Sequence, residues 1–334
     1  MKIGLFTPLR SPVATPEFLR NFGQKAEEIG VHSFWLGEHV VIFDQYESQY
    51  PGSSDGVFRF PEGSGLMDMV SSIGFLAACA STLRLGTGIC ILPQNIPVYA
   101  AKEYATLDFL SIGRLDVGVG VGWSWEEFEA GGAPWPNRGK RCDEYLEVIN
   151  TLWNDELSSF SGDMYDLPEC RMHPKPVQEG GIPICIGGHS DAALRRTARY
   201  GQGLYGINLS PLESSQMVSR LATFLEAEGR SIDEVEIHVG AVNDQMDASM
   251  VEAYAEAVVT QLLIPFLRQG NKHLDANLET IAPFIEVSRS ITKILDSFDH
   301  LDPRRLRVRG LSYPVPRFQL ALLPAIRHRI HLAH

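Results

Sequence analysis

PICIGGHSDAALRRTARYGQGLYGI, residues 183–207, is the stretch on which the fold turns. A short apolar run ends in two glycines, and a serine follows in the position of a helix N-cap. Residues 191–200 then carry helical periodicity, Gly201 marks their end, and a second apolar run occupies 203–207. Two apolar runs joined by one helix form a parallel βαβ unit, because a parallel pair needs a crossover connection.

The same alternation runs outward in both directions. Strands are predicted at 1–6, 33–38, 83–92, 114–122, 183–188, 203–207, 235–241 and 261–266. Helices are predicted at 15–28, 68–80, 98–110, 139–153, 191–200, 212–227, 248–257 and 273–284. In the first of these Thr15 is the N-cap, Pro16 sits in the first turn and Gly30 is the stop. Runs this continuously apolar are buried on both faces, as in parallel sheets. Eight strand–helix units point to an α/β fold, a (β/α)8 TIM barrel with insertions at its C-terminal rim. A doubly wound fold of two halves is the alternative. The insertions are the aromatic- and glycine-rich loop 43–66, a loop with three tryptophans after strand four, and a hairpin region at 158–177.

The 334 residues suit one such barrel. An apolar content of 44% with 21% charged residues is that of a globular domain and excludes wholesale disorder. The net charge of −12 argues against nucleic acid or an anionic membrane surface as partner. Without an apolar leader or an 18-residue apolar run, a cytoplasmic protein is expected. The five cysteines form no CxxC pair and read as free thiols rather than zinc ligands. Residues 287–334 depart from the pattern, with nine Lys/Arg against three Asp/Glu, four prolines and four histidines. The barrel is therefore assigned to 1–286 and an atypical basic tail to 287–334, for which docking on the acidic body, a role in assembly and poor order are the open readings.

Several motifs fall at the C-terminal ends of strands, where barrel active sites lie. Gly187, Gly188, His189 and Ser190 sit where a strand meets a helix start, and exposed N–H groups there would cradle a phosphate. The plainer reading is a tight turn with Ser190 as a cap. His39 in GEH is an acid/base candidate, with Glu38 to orient it. A structural histidine is the competing reading. Glycines flanking Thr87 in GTGI suggest a bulge or close approach of a ligand. GVGVGW, 118–123, lacks the GxGxxG spacing of a dinucleotide site, and its small residues suggest a surface for a flat ring. Arg138 and Arg141 either face an acidic cofactor or lie in solvent. Trp123, Trp125 and Trp135 either wall an apolar pocket or pack their own loop. No converging His, Cys or Asp set suggests a metal.

The runs LRLGTGICILPQNIPVYAAKEYATLDFLSIGRLDVGVGVGWSWEEFEAGG, RCDEYLEVINTLW, YDLPECRMHPKPVQ and IPICIGGHSDAALRRTARYGQG resemble the luciferase-like monooxygenase superfamily, closest to its F420-dependent oxidoreductase branch. The resemblance covers about residues 1–285. It implies a barrel binding coenzyme F420, or alternatively FMN, at the C-terminal rim. It implies a bulge in strand three with a non-proline cis peptide at Gly88–Ile89, where the ring rests against Thr87, Gly88 and Ile89. It matches the phosphate loop to Gly187, Gly188, His189 and Ser190, the strand-two histidine to His39, and a cofactor-facing arginine to Arg141. Related sugar-phosphate dehydrogenases carry a glutamate where this chain has Trp123, which implies a more apolar substrate. The expected activity is F420-dependent hydride transfer on a small, fairly apolar organic molecule, in a homodimer. An FMN-dependent monooxygenase and a non-catalytic flavin-binding protein are the alternatives.

Overall fold

A computed structural model describes residues 1–242 and 246–296. The barrel strands are β1 (Lys2–Phe6), β2 (Ser33–Leu36), β3 (Arg84–Thr87), β4 (Leu115–Gly120), β5 (Ile184–Gly187), β6 (Gly203–Leu209), β7 (Glu236–Ala241) and β8 (Gln261–Pro265). Each pairs in parallel with its neighbours. β1 meets β8, and β4 meets β5 through Ile184–Val117 and Ile186–Val119, so the sheet closes. This is the expected (β/α)8 barrel.

The outer helices are α1 (Pro16–Ile29), α2 (Met69–Cys79), α3 (Pro97–Ser111), α4 (Arg138–Asn154), α5 (Asp191–Tyr200), α6 (Pro211–Ala227), α7 (Ala248–Glu256) and α8 (Asn271–Asp296). α1 starts as its sequence indicates: the Thr15 hydroxyl accepts from the Phe18 N–H at 3.2 Å, and Gly30 ends the helix at φ 91°. Most of the buried apolar surface lies between strands and helices, with Phe18, Phe22, Phe34 and Phe266 among the largest fully buried side chains. A smaller cluster of Trp35, Cys185, Tyr205 and Leu263 stands inside the cylinder. None of the described helices is long and apolar enough to cross a membrane.

Three differences from the sequence reading have physical causes. The last helix was expected to stop at 284, near Pro283, but it runs to Asp296. Leu274, Leu278, Ile281, Ile285, Ser288 and Ile291 stay buried at helical spacing, and that packing carries the helix past the proline. It therefore crosses the boundary drawn at 286, and the remainder of the basic tail lies outside the described residues. The loop after β4 contains a short rim helix, Trp125–Ala130, capped by Ser124. The predicted hairpin region narrows to Ser158–Ser161 paired with Asp166–Cys170.

Candidate active site

β3 breaks after Thr87. The chain passes through a cis peptide at Gly88–Ile89 and rejoins β4 at Cys90–Ile91, opposite Val119 and Gly120. The bulge expected from the sequence is there. Neighbouring glycines make space for it. A Cβ on Gly118 would sit 2.0 Å from the Thr87 carbonyl oxygen, and one on Gly120 would sit 1.8 Å from the Ile89 side chain. This corrects the reading of GVGVGW: the room at Gly118 and Gly120 is filled by Thr87 and Ile89 rather than left for a ring.

Above the bulge lies a cleft of about 580 Å³. Strand ends from most of the barrel line it, including Phe6, Glu38, His39, Gly88, Ile89, Gly122, Gly187, Gly188 and Tyr205. Loop 43–66 covers one side with Tyr50, Phe58 and Phe60, and Trp123 completes that wall. The Trp123 ring meets those of Tyr46, Tyr50 and Phe58 at centroid distances of 5.8, 5.2 and 5.7 Å. Trp125 and Trp135 are not part of this wall. Trp135 packs on Phe128 and beneath the Arg138 guanidinium instead.

His39 lies on the cleft wall, against Phe58 and Trp123. Its Nδ1 is 2.9 Å from Glu127 Oε2, and Glu127 Oε1 accepts from the Val40 N–H at 3.0 Å. Both carboxylate oxygens thus fix the histidine and its own loop. The sequence reading gave this orienting role to Glu38, and the structure corrects it. Glu38 Oε2 accepts from the Ile91 N–H at 2.5 Å, holding the segment just after the bulge. Burial raises the Glu38 pKa above the ordinary carboxylate range, against the lowering effect of the Ile91 and Asn95 hydrogen bonds. Sequence reasoning missed Glu127, whose only local signal is the acidic pair behind the Ser124 cap.

The remaining expected residues divide. Gly88 and Ile89 line the cleft. Thr87 is fully buried and its hydroxyl donates across to the Gly118 carbonyl at 2.7 Å, so it fixes the bulge from behind. Gly187 and Gly188 line the cleft, and Gly188 has φ 111°, a conformation that disfavours any side chain. His189 and Ser190 are exposed at the outer edge of that turn. The Ser190 hydroxyl accepts from the Ala193 N–H at 3.3 Å, the capping reading. Arg141 is the clearest correction. It is buried away from the cleft and donates to the carbonyls of Pro93, Pro134 and Pro136, which ties α4 to the rim loop. Among the described residues no His, Cys, Asp and Glu cluster is placed to hold a metal ion.

Tyr205 was not singled out in the sequence. It is 3% exposed, its hydroxyl has no partner among the described residues, and it lines the cleft floor. Burial raises its pKa, which keeps it a protonated donor. Deeper in the barrel, His238 is held neutral, its pKa lowered to about 4 chiefly by burial.

An apolar cleft over a backbone bulge, with two glycines on one side and an orphaned phenol in its floor, fits a flat ring bearing polar edges and an anionic arm. The sequence pattern of the luciferase-like monooxygenase family matches residues 1–291. The uncharacterized protein Rv0940c of Mycobacterium tuberculosis is 32% identical over 72% of this chain and 82% of its own. An F420-dependent secondary alcohol dehydrogenase, solved with an F420–acetone adduct, shares 17% identity at TM-score 0.67, over 85% of this chain and 98% of its own. The monooxygenase RslO1 of Streptomyces bottropensis shares 21% identity at TM-score 0.66, over 86% and 98%. At these identities the two structures speak for the fold alone.

Proposed function

The chain belongs to the luciferase-like monooxygenase family, and from that premise we propose that it is an F420-dependent oxidoreductase acting on a small organic molecule with an apolar body. The observation that carries this reading is the His39–Glu127 pair on the wall of a cleft floored by the Gly88–Ile89 bulge. Bound F420 supplies or accepts a hydride at its ring carbon, and hydride transfer to a carbonyl or activated double bond needs a proton at the neighbouring atom.

The chain's own groups would provide the rest. Gly88 and Ile89 would support the ring, and the Gly187–Gly188 turn beside the α5 start would receive the phosphate. The Tyr205 hydroxyl would donate to a polar edge that reaches the cleft floor. His39 would hold or deliver the proton at Nε2, with Nδ1 committed to Glu127. Trp123, Tyr50 and Phe58 would exclude water and position the substrate.

One observation favours FMN-dependent oxygenation as a second reading: the aromatic wall over an apolar cleft would also exclude water from a flavin's reaction with oxygen. A homodimer remains part of the proposal, supported by Tyr99, Phe109 and Leu110, which are exposed along α3. Titration of the apoprotein with F420 and with FMN, followed by fluorescence, separates the two cofactors. Saturable F420 binding is expected. Tight FMN binding without F420 binding would reverse the order.

A further inference from the structure

Among the described residues two arginines line the cleft, Arg10 and Arg59. Arg59 is exposed and paired with Asp55. Arg10 makes no ion pair among the described residues. Its backbone N–H donates to Gln269 Oε1 at 2.9 Å, and Gln269 Nε2 donates to the Pro8 carbonyl at 2.5 Å, so the β1 and β8 loops hold each other. One Nη group donates to the Leu267 carbonyl. The Arg10 Nε is buried and has no hydrogen-bond partner among the described residues.

We propose that Arg10 anchors a carboxylate of the substrate, and that the cleft takes an organic acid with an apolar body. Arg10 lines the cleft without a carboxylate partner among the described residues, and a planar anion is the acceptor that matches a guanidinium best. The carboxylates of Glu38 and Glu127, which line the cleft, do not fill that role. Glu127 is committed to His39 and Val40, and Glu38 to Ile91. The surrounding walls are apolar and aromatic, so the charge needed is local, at one end of the ligand.

Topology separates this anion from the cofactor's. β1 lies four strands from β5 around the ring in either direction, so Arg10 stands across the mouth from the Gly187–Gly188 turn. An anion at Arg10 and one at that turn belong to opposite ends of the cleft. The inference rests on the oxidoreductase reading only in calling the bound acid a substrate.

The test compares two probes of one shape, 3-phenylpropionate and 3-phenylpropanamide, titrated into the full chain with tryptophan fluorescence as readout. The acid is expected to bind about tenfold tighter than the amide. Arg10→Gln should bring the acid down to the amide's level, Arg10→Lys should keep part of the preference, and Arg10→Gln should leave F420 and FMN affinity within about twofold of the parent. Three results overturn the proposal: no difference between acid and amide in the parent protein, a preference that survives Arg10→Gln, or a cofactor affinity that falls with it. The first requires no variant to fold. An intact acid preference in a protein that binds neither F420 nor FMN supports the Arg10 site and removes the oxidoreductase reading.

Discussion

His39 depends on a residue 88 positions away, and that distance explains what the sequence did and did not reveal. The histidine is legible because it follows an apolar strand at the barrel's active end. Its partner is not, because tertiary folding alone brings the Ser124-capped turn beside it. If His39 moves the proton, His39→Ala should hold cofactor affinity within about threefold and lower kcat by about 10²–10⁴-fold. Unchanged kcat would remove the residue from the mechanism. Arg141 is the opposite case: an arginine at a helix start looks available for a ligand until its three carbonyl partners are seen. Arg141→Ala should therefore act on stability, by about 2 kcal/mol, through the carbonyls it leaves unpaired. Thermal denaturation measures this, and lost cofactor affinity without a fall in Tm would show that the arginine faces the cofactor after all.

Elements were read well wherever local chemistry decides them. Thr15, Ser190 and Gly30 set helix ends as their residue types suggest. The sequence reading ended α8 at 284, and the buried row that carries it on through Ile291 is a tertiary rather than a local signal. Loop 43–66 is held by a contact of the second kind. Glu126 Oε1 accepts from the Glu47 and Ser48 N–H groups at 2.7 and 3.1 Å, and its Oε2 accepts from the Ser124 hydroxyl at 2.9 Å. Burial raises the Glu126 pKa, but the hydrogen bonds from Ser48 and the loop backbone outweigh it and bring it from an ordinary 4.5 to about 2. A pKa depressed by folding stabilises the folded loop above 4.5, and that contribution fades as pH falls toward 2. Pepsin cleavage within 43–66 should accelerate across that window, and Glu126→Ala should make the same loop protease-sensitive at neutral pH. Equal cleavage of variant and parent would show that other contacts hold the loop.

At the scale of the whole molecule, one closed sheet gathers residues from distant parts of the chain at one mouth. The strand order β5–β6–β7–β8–β1–β2–β3–β4 sets the glycine turn and Arg10 on opposite sides, with the bulge and His39 between β1 and β4. The helices face outward, and the exposed apolar side chains of α3 offer a surface for a second copy of the chain. Light scattering should give about twice the 37.0 kDa chain mass, and Leu110→Asp should return the single-chain value. A monomeric parent protein would contradict the dimer. Whether the mouth holds the cofactor is decided by a crystal structure of the full chain with F420. The ring is expected in van der Waals contact with Gly88 and Ile89, and the phosphate at the Gly187–Gly188 turn. A ring bound elsewhere, or a phosphate held at Arg10, would contradict it.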